Sequence, residues 1–189
     1  MNLTDSQKIA VGCDGHLCLV SCPGSGKTRT IVAKILRAIE QVRGTSRKIG
    51  CITYTNTAVE EIEGRLRELG TSDDDSYYEI STIHSFCLNN ILRPFHHWLP
   101  EFAVGFEIIT PDNPLWAELV RQLVTKYGID GRRGDEFEQV QRQPNGDVFA
   151  PKGFPMPAAV EFLRYMDDHR LVTFNGIVYH STRLVSTKA

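Results

Sequence analysis

Long hydrophobic runs, a signal peptide and an excess of one charge are all absent from this sequence. No apolar run approaches the ~18 residues that cross a bilayer, and the N-terminal MNLTDSQKIAV lacks the charged and then apolar segments of a signal peptide. These absences predict a cytoplasmic protein with no membrane partner. The net charge is −2 over 189 residues, so a nucleic-acid surface would have to be a local patch.

Cysteine pairs of the kind that bind metals are absent as well. The chain has five cysteines without a C-x-x-C pair: Cys13, Cys18, Cys22, Cys51 and Cys87. This pattern predicts reduced, mostly structural thiols, with Cys18 and Cys51 in predicted buried strands. His96 and His97 stand beside Trp98, but no cysteine or carboxylate lies at ligand spacing. An ordinary packed surface is therefore favoured over a metal site or a stacking platform.

Hydrophobic periodicity predicts three strands, each followed by a helix, in the first half of the chain. The strands are the apolar run at 16–20 and the segments at 48–55 and 77–82. Apolar residues then recur at helical spacing over 31–42, over 59–69 and over about 82–92, before Pro94. This alternation predicts a parallel α/β sheet with right-handed crossovers. The acidic run SDDDS at 72–76 predicts a solvated turn.

A different pattern follows Pro94. In TPDNPLWAELVRQLVTKYG, turn residues, an apolar face over 115–123 and Gly128 predict a helix that ends at the glycine. Residues 128–158 are rich in glycine, proline and charge, which predicts a mobile connection or a small irregular element. A helical pattern returns at 158–169, and the amphipathic stretch FNGIVYHSTRLV follows it.

The stretch SCPGSGKTRT at 21–30 predicts a loop that binds phosphates. Gly24 and Gly26 let the backbone turn its N–H groups inward at the start of a helix, which makes a nest for phosphate oxygens. Lys27 places a charge on the terminal phosphates, and the Thr28 hydroxyl is placed to ligate Mg²⁺. Ser21 takes the place of the glycine that begins the strict pattern. The predicted nucleotide-binding loop consists of Ser21, Cys22, Pro23, Gly24, Ser25, Gly26, Lys27 and Thr28.

A glutamine lies upstream of this loop. Gln7 precedes Lys27 by twenty residues, and a side-chain amide can pair with N6 and N7 of adenine together. Together with LTDSQ around this glutamine, the segments PGSGKTRT, TYTNTAVEEIEGRL and STIHSF follow one another along the chain. In order and spacing they resemble the Q motif, the phosphate loop, motif Ia and motif Ib of the UvrD/Rep family of superfamily-one DNA helicases. EIEGRL followed by NNILRPF also resembles the helicase-like subunit of Gabija-type antiphage systems.

The resemblance implies a nucleotide site with ATP and Mg²⁺ as cofactors. In that family's pattern Gln7 selects adenine, and Arg29 lies against the nucleotide. Lys27 and Thr28 are the implied catalytic residues: both hold the phosphates, and Thr28 also ligates the metal.

The resemblance also implies single-stranded DNA as a partner. Tyr54 takes the place of an aromatic residue that stacks on the DNA, with Thr55 and Asn56 offering polar contacts to its backbone, and His84 and Ser85 contact DNA at a second position. Thr57 and Ile83 depart from the family's usual lysine and phenylalanine. A strand residue packed in the core remains the alternative for Tyr54, and a structural histidine remains the alternative for His84.

The implied fold is a RecA-like P-loop NTPase, a parallel sheet with helices on both faces and an inserted, mainly helical subdomain. Residues 1–93 would form the first part of the motor domain, 94–170 the inserted subdomain, and 171–189 a segment that returns toward the motor domain. The family's activity is that of an ATP-dependent DNA helicase.

The acidic strand that such chemistry needs is missing from the sequence. No apolar strand ending in paired acids occurs downstream of Thr55, and YMDDHR lies within a helical pattern. The chain stops at Ala189, about where that strand should begin, so we expect the N-terminal piece of a larger helicase, inactive alone. Two alternatives stay open: a non-catalytic protein that senses nucleotide or DNA, or docks on a nuclease partner in an antiphage complex, and another P-loop NTPase.

Overall fold

The computed structural model describes residues 2–70 and 76–186. Residues 72–75, most of the acidic run that predicts a turn, lie outside the described residues. The chain divides into two compact units, Met1–Ile83 and His84–Ala189. Within the described ranges, no helix is both long and apolar enough to cross a membrane.

The first unit contains three helices and a pair of parallel strands. In chain order they are α1 (Asp5–Gly12), α2 (Lys27–Val42), β1 (Ile49–Thr53), α3 (Asn56–Glu68) and β2 (Tyr78–Thr82). The strands pair in register from Ile49 with Tyr78 to Thr53 with Thr82, so they end side by side at one edge. This arrangement confirms the prediction of parallel strands joined through a helix.

A single apolar cluster holds α2 and α3 to the strands of the first unit. α2 and α3 are amphipathic, and their apolar faces pack on β1 and β2 because burial removes those faces from water. The buried members of this cluster are Val32, Ile35, Ile39, Ile62, Leu66 and Ile80. The start of α2, which follows the glycine loop, is positioned by this core.

The predicted buried strand at 16–20 is wrong. These residues form no strand, and Leu17, Leu19 and Val20 are 47, 40 and 89% exposed. Cys18 is exposed too, whereas Cys51 is half-buried in β1. The physical reason is that a strand needs a neighbour for its backbone N–H and C=O groups, and in the described residues β1 and β2 pair with each other alone.

The second unit begins with a helix that runs through Pro94. It consists of α4 (Ile83–Phe86), π-helical turns over Cys87–Leu92 and α5 (Arg93–Phe95). The sequence predicts an end before Pro94, and this is wrong. The backbone N–H of Arg93 already donates five residues back, to the carbonyl of Leu88, so the widened turns accommodate a proline that has no N–H to give.

The rest of the second unit is mainly helical. Short 3-10 turns at His96–Trp98 and Pro100–Phe102 lead to β3 (Glu107–Ile108), α6 (Pro114–Tyr127) and a 3-10 segment at Gly131–Gln139. The hairpin strands β4 (Gln141–Arg142) and β5 (Val148–Phe149) then precede α7 (Met156–Asp168), β6 (Leu171–Val172) and α8 (Phe174–Ser186). The predicted end of α6 is confirmed, because Gly128 ends it with a φ of 60°, and Asn113, one of the turn residues before it, caps its start through the N–H of Leu115.

Residues 128–158 form a small irregular element and not a loose connection. Arg133 fixes part of it: its guanidinium pairs with Glu136 at 2.8 Å and donates to the carbonyl of Gly153 at 3.0 Å. Phe137 is fully buried, in a cluster whose other large members include Trp116 and Phe162. The aromatic core therefore holds this segment in place.

A second apolar cluster of this unit, which includes Phe102 and Leu184, adjoins a group of ionisable residues. His180 is 5% exposed and packs edge-on against Phe102, with ring centroids 4.7 Å apart. Burial, together with the charge of Arg183, lowers the pKa of His180 to about 4. Burial alone would raise the pKa of Glu101, but the hydrogen bond that it accepts from Arg183 lowers it. His180 is therefore held neutral beside an ion pair.

We expect stability to fall as the pH drops from 7.5 to 5. Unfolded His180 gains its proton near pH 6.5, whereas the folded residue stays neutral until about pH 4, so acid favours the unfolded state in this window. The expected loss in the free energy of unfolding is about 2 kcal/mol. Urea unfolding followed by tryptophan fluorescence measures it. The His180→Gln variant should lose much less over the same window, and an equal loss in both proteins would contradict this assignment.

Candidate functional site

The glycine loop opens the longest helix of the first unit. Gly24 and Gly26 have φ angles of 77° and 85°. These angles lie in the left-handed region, which is unfavourable for residues that carry a side chain. Gly26 is the N-cap of the 16-residue α2 and provides no side-chain cap. Among the described residues, no acceptor is bonded to the backbone N–H groups of Gly26, Lys27 and Thr28. Free donors at a helix N-terminus are a suitable cradle for an anion.

Lys27 lies folded back over this loop. Its ammonium group donates to the carbonyls of Ser21 and Cys22, at 2.9 Å each. The loop is closed on itself a second time, because the Ser25 hydroxyl donates to the carbonyl of Cys22 at 2.7 Å. When an anion binds, Lys27 can therefore leave its neutral carbonyl acceptors and donate to charged oxygens. Charged oxygens bind an ammonium group more strongly.

The remaining loop residues differ in how far they are engaged. Ser21 has a buried hydroxyl oxygen with no hydrogen-bond partner in the described part of the chain. Thr28 is half-buried one residue into the helix, while Cys22 and Pro23 are exposed. Arg29 is exposed and donates to the carbonyl of Asn2 at 3.3 Å, which ties the N-terminal segment to the loop.

Gln7 lies directly against the loop. Its amide nitrogen donates to the carbonyl of Ser25 at 3.0 Å, and its amide oxygen accepts from the backbone N–H of Thr4 at 2.9 Å. The Thr4 hydroxyl accepts in return from the N–H of Gln7, which completes a capping box at the start of α1. The fit is close: a Cβ atom added to Gly26 would stand 2.8 Å from the Gln7 amide nitrogen.

Two basic residues that sequence reasoning missed hold α1 in this position. Lys34 donates to the carbonyls of Ala10 and Cys13, and Arg37 donates to the carbonyl of Val11 at 3.0 Å. Cations suit the carbonyl end of a helix, where the last acceptors lack partners. Their spacing in α2, three residues apart on one face, is a pattern that could have indicated a docked helix end.

Tyr54 directly follows β1 and is 86% exposed. Tyr54 is therefore not packed in the core, which was the alternative for this residue. Thr55 caps α3 by accepting from the N–H of Ala58 at 3.2 Å, and Asn56 is the first residue of that helix and is exposed. The cap fixes the backbone next to Tyr54 and leaves its ring in solvent.

His84 and Ser85 belong to the second unit, at the start of its first helix. The His84 ring meets Phe174 edge-on, with centroids 5.5 Å apart, and both His84 and Ser85 are half-buried. Phe174 is 54% exposed. One face of the histidine is therefore supported by an aromatic ring at the protein surface.

Carboxylates are not found where the strands of the first unit end. The residues after β1 are Tyr54, Thr55 and Asn56, and Ile83 follows β2 directly. Asp167, the first acid of the segment YMDDHR, lies in α7 and accepts a hydrogen bond from Arg142. Burial raises the pKa of Asp167, although the charge of Arg142 opposes this. Within the described ranges, no group of three or more His, Cys, Asp or Glu side chains is arranged to hold a metal ion.

Comparison with known proteins identifies the family of this α/β chain. A sequence model of the UvrD/REP helicase N-terminal domain matches residues 3–153. This match covers well over half of the chain, so the chain belongs to the UvrD/REP helicase family. The predicted family is thereby confirmed.

Several curated relatives are similar to the same region. DNA helicase II of Escherichia coli is 28% identical over 134 residues, which are 70% of this chain and 18% of the relative. A probable DNA helicase II homolog of Rickettsia conorii is 27% identical over 129 residues, 68% of this chain and 19% of the relative. One subunit of an ATP-dependent helicase/nuclease from Listeria welshimeri is 29% identical over 147 residues, 67% of this chain and 12% of the relative. The chain spans less than a fifth of the length of each of these relatives.

Proposed function

We propose that this chain is the part of an ATP-dependent DNA helicase or translocase that binds ATP and single-stranded DNA. The observation that carries the proposal is the contact between Gln7 and the glycine loop, since it joins a group that can select a base to a group that can bind phosphates. Family membership supports the helicase assignment, and the names of the relatives support ATP and DNA as ligands.

The loop residues fit a nucleoside triphosphate with Mg²⁺. The free N–H groups of Gly26, Lys27 and Thr28 can donate to phosphate oxygens at the N-terminus of α2. Lys27 can turn from its carbonyl acceptors to the terminal phosphates, and the Thr28 hydroxyl can ligate the metal. When bound, Mg²⁺ supplies positive charge that neutralises the phosphates during transfer. Arg29 is close enough to the loop to lie against the nucleotide.

The hydrogen-bonding capacity of Gln7 supports a preference for adenine. A side-chain amide has two N–H donors and two acceptor lone pairs, and the contacts with Ser25 and Thr4 use one of each. One donor and one acceptor remain, which is the pair that N7 and N6 of adenine require. Guanine presents two acceptors on the same edge, N7 and O6, and the amide oxygen cannot pair with O6.

We expect Gln7→Ala to narrow the preference for ATP over GTP by about 5- to 150-fold. This range corresponds to the ~1–3 kcal/mol of discrimination that a bidentate amide contact provides. Calorimetric titration with each nucleotide, in the presence of Mg²⁺, measures the ratio of affinities. Gln41→Ala removes another exposed amide of the same unit and should leave the ratio unchanged. A wild-type chain that binds both nucleotides equally would favour another P-loop NTPase over this proposal.

DNA binding is assigned to the exposed residues that follow β1 and to the start of the second unit. Tyr54 offers a ring that any base can stack on, and Thr55 and Asn56 offer polar groups to the backbone. His84 and Ser85 offer further contacts. Sequence-independent stacking suits a motor that moves along any strand.

The proposed architecture is RecA-like, with the first part of the motor domain at 1–93, an inserted helical subdomain at 94–170 and a returning segment at 171–189. A second candidate function follows from the ends of β1 and β2, which carry no carboxylate to activate water. In that case the chain senses nucleotide or DNA without turnover and docks on a nuclease, as in antiphage systems of the Gabija type. Stimulation of ATP hydrolysis by single-stranded DNA separates the two.

A further inference from the structure

An exposed aromatic pair stands at the end of the first helix of the second unit. The rings of Phe95 and Trp98 stack with centroids 4.7 Å apart and planes 30° from parallel. These residues are 37 and 44% exposed. The ring of His97 meets Trp98 edge-on at 5.5 Å. Preformed aromatic surface in solvent marks a place where a ligand can bind.

The charge of the helix that leads to this pair favours an anionic ligand. The chain contains 23 acidic residues, yet none falls between Glu79 and Glu101. Arg93 is exposed on the same helix, and its guanidinium donates to the side-chain oxygen of Asn89 at 3.0 Å. Among the described residues no carboxylate pairs with Arg93. Its remaining donors are available to a phosphate, which a guanidinium binds well.

We propose that Phe95 and Trp98 form a base-stacking site for single-stranded DNA, with Arg93 contacting an adjacent phosphate. The inference rests on the proposed function and extends its DNA surface along the second unit. His84 and Phe95 are the second and last residues of one continuous helix, so about 15 Å of helix separates them. A single strand that contacts His84 can follow this acid-free helix to the aromatic pair. Aromatic rings next to a cation are the combination that binds single strands without regard to sequence.

Fluorescence of Trp98 reports this contact directly. The chain has two tryptophans, and Trp116 is 5% exposed in the core of the second unit. In a Trp116→Phe variant the emission comes from Trp98 alone, and we expect an oligo(dT) of about 16 nucleotides to quench it at saturation. Because Trp116 is buried, the affinity of the wild-type chain for a labelled oligo(dT) is measured separately by fluorescence anisotropy, so the test does not depend on that variant.

Substitutions at the pair provide the second arm of the test. We expect Phe95→Ala and Trp98→Ala each to weaken oligo(dT) binding by about 5- to 100-fold, the range that a lost base stack gives. Trp98→Phe keeps an aromatic face and should recover most of the affinity. The matched control is Phe149→Ala. Phe149 is 40% exposed in the same unit, but it lies in β5 and not in the helix that carries Phe95. This variant should bind oligo(dT) as the wild type does.

A parallel Tyr54→Ala variant separates failure of this inference from failure of the proposed function. If Tyr54→Ala weakens binding while the Phe95 and Trp98 variants bind as wild type, the stacking site is overturned and the proposed function stands. If the wild-type chain does not bind oligo(dT) at all, both are overturned. Emission of Trp98 that changes with protein concentration in the absence of DNA would assign the pair to contacts between copies of the chain, and would contradict the inference.

Discussion

Lys27→Ala should weaken the binding of Mg²⁺–ATP by about 10- to 150-fold, the equivalent of the ~1.5–3 kcal/mol carried by hydrogen bonds to charged groups. In the free protein the ammonium group donates to the carbonyls of Ser21 and Cys22. The bound phosphates would replace these neutral acceptors by charged ones, and alanine can make neither contact. Calorimetric titration of the variant and the wild type with ATP measures the difference.

Two controls make this comparison specific to the phosphate site. Lys48→Ala removes an exposed lysine of the same unit that lies outside the loop, and it should leave the affinity unchanged. Because Lys27 also holds the loop closed, the thermal unfolding of both variants is compared with that of the wild type. Equal ATP affinity in the wild type and in folded Lys27→Ala would overturn the assignment of the loop.

The 189-residue chain should bind Mg²⁺–ATP without DNA-stimulated turnover. Lys27 and Thr28 can hold the phosphates, but β1 and β2 are followed by no carboxylate that could orient the attacking water. Neutralisation of the transition state by an arginine is worth about 10³–10⁵ in rate, and Arg29, which directly follows the loop, donates to the carbonyl of Asn2. Phosphate release in the presence and absence of oligo(dT), with an active DNA helicase as positive control, measures this.

If ATP hydrolysis is detected in that assay, three variants identify the residues responsible for it. If the chain hydrolyses ATP when DNA is added, Lys27→Ala must abolish the activity for it to belong to this protein. Asp167→Asn and Asp168→Asn then show whether an acid of α7 provides the catalysis. Loss of turnover in either variant would contradict the role given to the strand ends, since Asp167 is engaged with Arg142 in the structure.

Local patterns in the sequence were enough to predict most helices. The apolar face of α2 and the caps of α6 at Asn113 and Gly128 act within a few residues, so the sequence carries them directly. The prediction of a strand at 16–20 was wrong because a strand depends on a partner that is distant in sequence, which a local pattern does not reveal. The passage of a helix through Pro94 also escaped prediction, since the π-helical turns before it have no simple sequence pattern.

The candidate nucleotide site likewise combines features that the sequence predicts with contacts that depend on the fold. The resemblance to the family's motif spacing predicts that Gln7 and the loop belong to one site. The contact of Gln7 with the carbonyl of Ser25 could not be predicted, because it depends on how α1 docks on α2. Lys34 and Arg37 produce that docking through backbone carbonyls, which no sequence motif records. Long-range contacts of side chains with the backbone are thus the part that only the structure provides.

Amide hydrogen exchange of the 189-residue chain with Mg²⁺–ATP tests the central claim most directly, because it locates binding without assuming turnover. The account predicts slower exchange in 2–9 and 21–31, where Gln7 and the glycine loop lie, with ATP more effective than GTP and with no such protection in Lys27→Ala. The second unit, including α7, should exchange as before. Unchanged exchange at 21–31 under saturating ATP, or protection centred on the second unit, would contradict the claim that this loop binds the nucleotide.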